Sequence, residues 1–224
     1  QFTQLITRRV REANVYSEIY SHKITLQEVL KFNPSGIILS GGPMSVYDTD
    51  APDIDDEILK IKIPILGICY GLQILTKKFG GKVEPAKDRE YGRASLNIIK
   101  TSPLFNGINL SSQVWMSHGD YITELPDGFE TIASSDHAPI AAVSNEKSRI
   151  YGVQFHPEVV HTLEGKKIIN NFLYNICNCK GEWTPHNFID NTIQEIKAKV
   201  NQSKVICALS GGVDSTVAAV LVKK

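Results

Sequence analysis

One short stretch restricts the folding of this 224-residue chain more than any other. Ile63-Pro64-Ile65-Leu66 is an apolar run of strand character, and Leu72 to Phe79 carries a helical pattern. Between them stands Gly67-Ile68-Cys69-Tyr70-Gly71. Strand, sharp turn and helix with a nucleophile at the turn is the layout of a nucleophile elbow. Glycines on both sides allow a turn that a Cβ would obstruct. The thiol then belongs at a helix N-terminus, where aligned backbone dipoles favour its anion. A lone cysteine is more often a small buried hydrophobe, so Cys69 needs a base to count as reactive. Phe155-His156-Pro157-Glu158 offers an imidazole with a carboxylate two residues on, after the strand-like run 149–155. In extended chain, residues two apart face the same side, so His156 and Glu158 can share one site while Pro157 ends regular pairing. The expected set is a nucleophile, Cys69, a base, His156, and an orienting acid, Glu158.

The rest of the chain reads as an α/β fold. Helix and strand patterns alternate through 3–13, 15–20, 25–32, 36–40, 53–61, 63–68 and 70–79. Thr25 and Glu28 have the spacing of a capping box. Asp53, Asp55, Asp56 and Glu57 crowd a helix start, where the dipole favours acids, and read as a solvated face rather than a metal site. After Gly80-Gly81 the pattern changes to short strands at 82–85, 94–100, 113–117, 129–134, 139–144 and 149–155. A central, mostly parallel sheet with flanking helices and antiparallel additions is expected. Residues 163–176 read as a closing helix, 178–186 as a linker and 187–200 as an amphipathic helix opening a second unit.

The motifs Gly67-Ile68-Cys69-Tyr70-Gly71-Leu72-Gln73 and His156-Pro157-Glu158 resemble those of the class I (triad) glutamine amidotransferases. Ser40-Gly41-Gly42-Pro43, after the strand-like run 36–39, adds to the likeness. The resemblance implies a flavodoxin-like fold and hydrolysis of glutamine. It places an oxyanion hole at the backbone N–H groups of Gly42 and Tyr70. It sets Gln73, Ser117, His118 and Asp120 around the glutamine pocket, with Asp120 on the substrate's α-amino group. Two glycines in a strand-end loop can bring amide donors close to a reacting carbonyl, though the same loop also reads as an ordinary turn.

A second motif lies near the C-terminal end. Residues 204–209 read as a buried strand, and Ser210-Gly211-Gly212-Val213-Asp214-Ser215-Thr216 leads into a helical run. A glycine-rich loop at a helix N-terminus is an anion cradle. The Gly-Lys-Ser/Thr of a Walker A loop is missing, which argues against transfer of a γ-phosphate. The loop resembles that of the ATP pyrophosphatase family, which implies ATP and Mg2+ as ligands, with Ser210 to Thr216 holding ATP, and adenylation of a carbonyl oxygen. A glutaminase followed by an adenylating module is similar to the synthases that aminate xanthosine monophosphate (XMP). That resemblance covers nearly the whole chain and implies domains at 1–177 and 187–224, joined by 178–186. It also implies a first strand ahead of Gln1, an XMP site beyond Lys224, a cytoplasmic location and a homodimer when intact. The glutaminase step itself is expected to need no cofactor.

Composition removes other classes. Lys+Arg and Asp+Glu number 24 each, so no basic excess favours nucleic acid or a membrane surface. No apolar run approaches the roughly 20 residues of a bilayer span. Cys177 and Cys179 lack the spacing of a zinc pair, no metal site is expected, and four cysteines form no disulfide framework, which suits a reducing compartment. The rival readings are a γ-glutamyl hydrolase, a glutaminase subunit of another amidotransferase, and a non-catalytic nucleotide-binding or docking module with a vestigial triad.

Overall fold

The computed structural model describes residues 2–224, save the side chains of residues 86–89. Its elements begin with an amphipathic helix, α1 (Thr3–Glu12), which buries Ile6 and Val10. In α2 (Leu26–Phe32) the Thr25 hydroxyl caps the Glu28 amide and the Glu28 side chain reaches back, so the capping box forms. Next come β1 (Ile37–Leu39), α3 (Asp56–Lys60) with Asp55 as its N-cap, β2 (Ile65–Ile68) and α4 (Tyr70–Lys78). Two long strands, β3 (Lys82–Ile98) and β4 (Ser111–Glu124), form an antiparallel pair. Shorter β5 (Glu130–Ser134), β6 (Ala142–Asn145) and β7 (Ile150–Val153) complete the sheet.

Seven strands lie in the order β1-β2-β7-β6-β5-β3-β4 among the described residues. The pairs β1–β2 and β2–β7 are parallel, and the four remaining pairings are antiparallel. The α/β expectation holds, with an antiparallel part larger than the parallel one. Every residue of β2 and β7 is buried, as expected of central strands covered on both faces. Ile68 pairs with Val153, so the segments after these two strands leave the sheet at the same edge. That pairing delivers residue 69 and residues 154–158 to one place.

Several expected elements differ. Residues 15–20 make no strand: the Ser17 carbonyl, which a ladder would need, accepts from the Arg11 side chain instead, and the Ser17 hydroxyl reaches the Thr7 carbonyl. The strands at 82–85 and 94–100 are one element, β3, with its register against β4 shifting between Pro85 and Glu90. The closing helix is short, α5 (Gly165–Asn170), and then widens into a π-helical turn, Asn171–Ile176.

The chain divides into two compact units, residues 1–181 and 182–224. The second holds α6 (Pro185–Val200) and α7 (Val213–Lys223). Pro185 and His186, expected in the linker, are the first residues of α6 behind a Thr184 cap. Residues 204–209 are not a strand, and Ile206 is 97% exposed. A strand needs neighbours for its N–H and C=O groups, and this unit offers none among its described residues. No helix among the described residues is long and apolar enough to cross a membrane.

Candidate active site

Cys69 stands between β2 and α4 with φ 52° and ψ −108°, a conformation rare for a residue with a Cβ. Its peptide groups hold it there. The Cys69 amide donates to the Val153 carbonyl at 2.8 Å, and its own carbonyl accepts from the Leu72 and Gln73 amides at 3.0 and 3.1 Å. Such strain persists only where surrounding bonds over-determine it. The flanking glycines are required sterically. A Cβ on Gly67 would come within 2.6 Å of the Gly71 backbone, and one on Gly71 within 2.2 Å of the Leu39 carbonyl oxygen.

Beyond β7 the chain is held as firmly. The Gln154 amide donates to Ala141 and the His156 amide to Trp115. The Thr162 hydroxyl donates to the His156 carbonyl at 2.6 Å. The imidazole of His156 therefore enters the site fixed, with Nδ1 2.8 Å from Glu158 Oε1. The Cys69 side chain lies beside the ring, close enough to act on its protonation. All three side chains are buried, Glu158 completely. Burial works against charge on His156, but the hydrogen bonds to Cys69 and Glu158, with the charge of Glu158, outweigh it and push the imidazole up to about 10. The Phe2 ring packs 5.0 Å from the imidazole, and the Arg9 guanidinium donates to the Glu158 carbonyl.

Gly41 and Gly42 cross over this pair. A methyl group on Gly41 would stand 3.0 Å from His156 Cε1 and 3.5 Å from Cys69 Cβ. One on Gly42 would touch the Tyr70 ring at 3.5 Å. The amides of Gly42 and Tyr70 have no backbone acceptor among the described residues.

A buried polar layer borders the thiol. Met116, His118 and Ile122 of β4 all face inward, and His118 Nδ1 lies 3.0 Å from the Asp120 carbonyl. A carbonyl only accepts, so that nitrogen carries the hydrogen. Burial lowers the His118 pKa and favours the neutral ring. Its Nε2 lies 3.2 Å from Glu90 Oε2, an ion-pair distance but out of line for a hydrogen bond. Both Glu90 carboxylate oxygens and Asp120 Oδ2 are buried without a hydrogen-bond partner among the described residues. Gln73 on α4 donates to the Asp120 carbonyl at 2.9 Å and to Gln154 Oε1 at 3.4 Å. Gln154 in turn donates to Cys69 Sγ at 3.7 Å, and the sulfur lies 3.5 Å from the Ser117 carbonyl.

Cys69, His156, Glu158, Gly42, Tyr70, Gln73, Ser117, His118 and Asp120 thus lie in one connected region. Gln154 and Glu90 were not expected there. Gln154 was legible: it stands two residues before His156 at the end of a strand-like run, where residues two apart face the same side. Glu90 was not, because its contact with His118 depends on the β3–β4 register. In the second unit, Ser210 to Gly212 form a loop and Val213 to Thr216 are already the first residues of α7, which begins earlier than expected. Gly211 has φ 82°, Ser210 and Ser215 hydroxyls are 3.1 Å apart, and the Ser215 and Thr216 hydroxyls donate to the Gly212 carbonyl. Among the described residues no three His, Cys, Asp or Glu side chains converge as a metal-ligand set.

A thiol on a strained turn beside a carboxylate-held imidazole, at the edge of an α/β sheet, is an arrangement suited to cysteine-dependent acyl transfer. The family model of class-I glutamine amidotransferases matches residues 1–176, and the chain belongs to that family. The glutamine-hydrolysing GMP synthase of Staphylococcus aureus is 54% identical over all 224 residues. The chain spans 44% of that relative's length. A crystal structure from Thermoplasma acidophilum, provisionally assigned as one subunit of a GMP synthase, is 33% identical with a TM-score of 0.68, over 85% of this chain and 92% of that one. A glutamine amidotransferase from Thermotoga maritima shares the fold at 22% identity and a TM-score of 0.62, over 77% of this chain and 91% of its own.

Proposed function

We propose that this chain is the glutamine-hydrolysing part of a GMP synthase, supplying ammonia to XMP activated by ATP. The observation that carries the reading is the closeness of Cys69 and His156, both within 3.5 Å of one Cβ position at Gly41, with the imidazole Nδ1 held by Glu158 at 2.8 Å. In the reaction the proton of the pair stands on His156 Nε2, as the raised imidazole pKa requires, and Cys69 Sγ bonds to the side-chain carbonyl carbon of glutamine. The carbonyl electron pair moves to oxygen, where the Gly42 and Tyr70 amides receive it; one such donor is worth about 3–4 kcal/mol. The oxyanion collapses, the C–N bond breaks, and His156 returns its proton to the departing nitrogen as ammonia. Water then gives a proton to His156 and attacks the thioester, releasing glutamate and restoring the Cys69–His156 pair with its proton on the imidazole. Glu158 keeps the ring's orientation throughout.

Asp120 suits the substrate's α-ammonium, since its Oδ2 is buried and unpartnered. Both N–H donors of Gln73 are committed, so it offers the substrate only its carbonyl oxygen. Ser210, Gly211, Gly212, Val213, Asp214, Ser215 and Thr216 would hold ATP phosphates. The left-handed Gly211 and the amides opening α7 fit an anion, and ATP with Mg2+ would supply the activated carbonyl. This loop also favours GMP synthesis over a free-standing glutaminase subunit or a γ-glutamyl hydrolase. The domain reading is 1–177 for the glutaminase and 187–224 for the start of the ATP-binding part. Four free cysteines suit a cytoplasmic protein. The test is glutamate release from glutamine by this chain and by Cys69→Ala. The variant should lose roughly 10³-fold or more of the rate; equal rates in both would remove Cys69 from the reaction.

A further inference from the structure

We propose that Gln154 is a positioning residue for the nucleophile: its side-chain amide donates an N–H to the Cys69 sulfur and steadies the negative charge there, in an orientation imposed through Gln73 by the Asp120 carbonyl. The proposal rests on the reading of Cys69 as the attacking group.

Gln154 is fully buried, so its amide must find its partners inside the protein. Among the described residues its side chain has two, Gln73 Nε2 at 3.4 Å and Cys69 Sγ at 3.7 Å. The direction of this chain of amides is set from one end. The Asp120 carbonyl can only accept, so the group facing it must be the NH2 of Gln73. The second hydrogen of that NH2 points at Gln154, which must therefore present oxygen to Gln73 and NH2 to the sulfur. A flipped Gln154 would set two donors against each other and a carbonyl oxygen against the sulfur. A carbonyl already stands against it, that of Ser117 at 3.5 Å. A neutral thiol can donate to that oxygen, but a thiolate is repelled by it. The Gln154 N–H is the neutral donor that offsets the repulsion while the proton is on His156. The same chain links the nucleophile to the glutamine pocket, because Gln73 belongs to both.

Gln154→Leu keeps the approximate volume and removes the donor. The readout is alkylation of Cys69 by iodoacetamide across pH, which needs only the anion and no glutamine turnover. The midpoint of the profile should rise by about one unit, with about tenfold slower alkylation near neutral pH, the loss expected for a hydrogen bond to a charged group. Gln73→Leu, which frees Gln154 to flip, should shift the midpoint the same way by less. In glutamine hydrolysis, Gln154→Leu should lower kcat about tenfold and change KM less than about twofold, because Gln154 is enclosed behind the sulfur. An unchanged alkylation profile in folded Gln154→Leu overturns the proposal, even if the wild-type chain hydrolyses glutamine. Should the variant not fold, the wild-type chain still decides. The Gln154 side-chain 15N–1H signals must move with the alkylation midpoint, and their constancy overturns the proposal. A wild-type chain that alkylates with this profile yet releases no glutamate would instead count against the functional reading and leave the role of Gln154 standing.

Discussion

His156 is buried between a thiol and a carboxylate, and burial alone would strip its charge. It is instead pushed up to about 10 by Cys69 and Glu158, which has a consequence for stability. A histidine raised above its unfolded value near 6.5 contributes stability that is complete below that value and lost as pH rises through about 10. Glu158→Gln keeps the volume and removes the charge. Wild-type stability to urea should therefore fall between about pH 7 and about pH 10 more steeply than that of the variant. Parallel slopes would mean that Glu158 does not hold the imidazole's proton. The same variant should lose roughly 10²-fold in kcat for glutamine hydrolysis, as expected for a mispositioned proton carrier.

The elbow depends on three elements meeting within a few ångströms. β1 passes so close to α4 that a Cβ on Gly71 would overlap the Leu39 carbonyl, and backbone cannot swing aside as a flexible side chain can. Gly71→Ala should therefore destabilise by about 1–3 kcal/mol or more, read from chemical denaturation. Gly42→Ala is the contrast: its methyl group would make an ordinary 3.5 Å contact with the Tyr70 ring and should cost less than about 1 kcal/mol. Equal losses in the two would show that the crowding at Gly71 relaxes. The elbow was legible because its steric demand is written in adjacent residues, Gly67 through Gly71. The capping box of α2 was legible for the same reason. The length of β3 was not, since its two parts are joined only through their pairing with β4, whose register shifts between Pro85 and Glu90. Nor was the irregular course of residues 15–20, whose apolar spacing suits a strand but where the Ser17 carbonyl accepts from the Arg11 side chain. Local chemistry announces itself in sequence, whereas pairing across the sheet depends on residues far apart in the chain.

Each unit of the molecule accounts for its own order very differently. The seven strands all lie between residues 37 and 153, and the buried clusters draw every member from the first 179 residues. In the second unit neither α6 nor α7 buries a residue, and Val205, Ile206 and Leu209 are exposed where a strand was expected. Residues 204–209 have the apolar content of a central strand but no ladder partner, and a lone strand has no cooperative stability. Backbone of this kind opens to proteases at little free-energy cost. Limited trypsin digestion should therefore cut first after Lys204, while the 1–181 unit stays intact and keeps its Cys69 alkylation profile. A chain ending at residue 181 should melt within about 2 °C of the 224-residue chain, since the buried apolar clusters of the first unit are complete without residues 182–224. A larger drop, or first cuts within the sheet, would mean that residues 182–224 support the glutaminase fold.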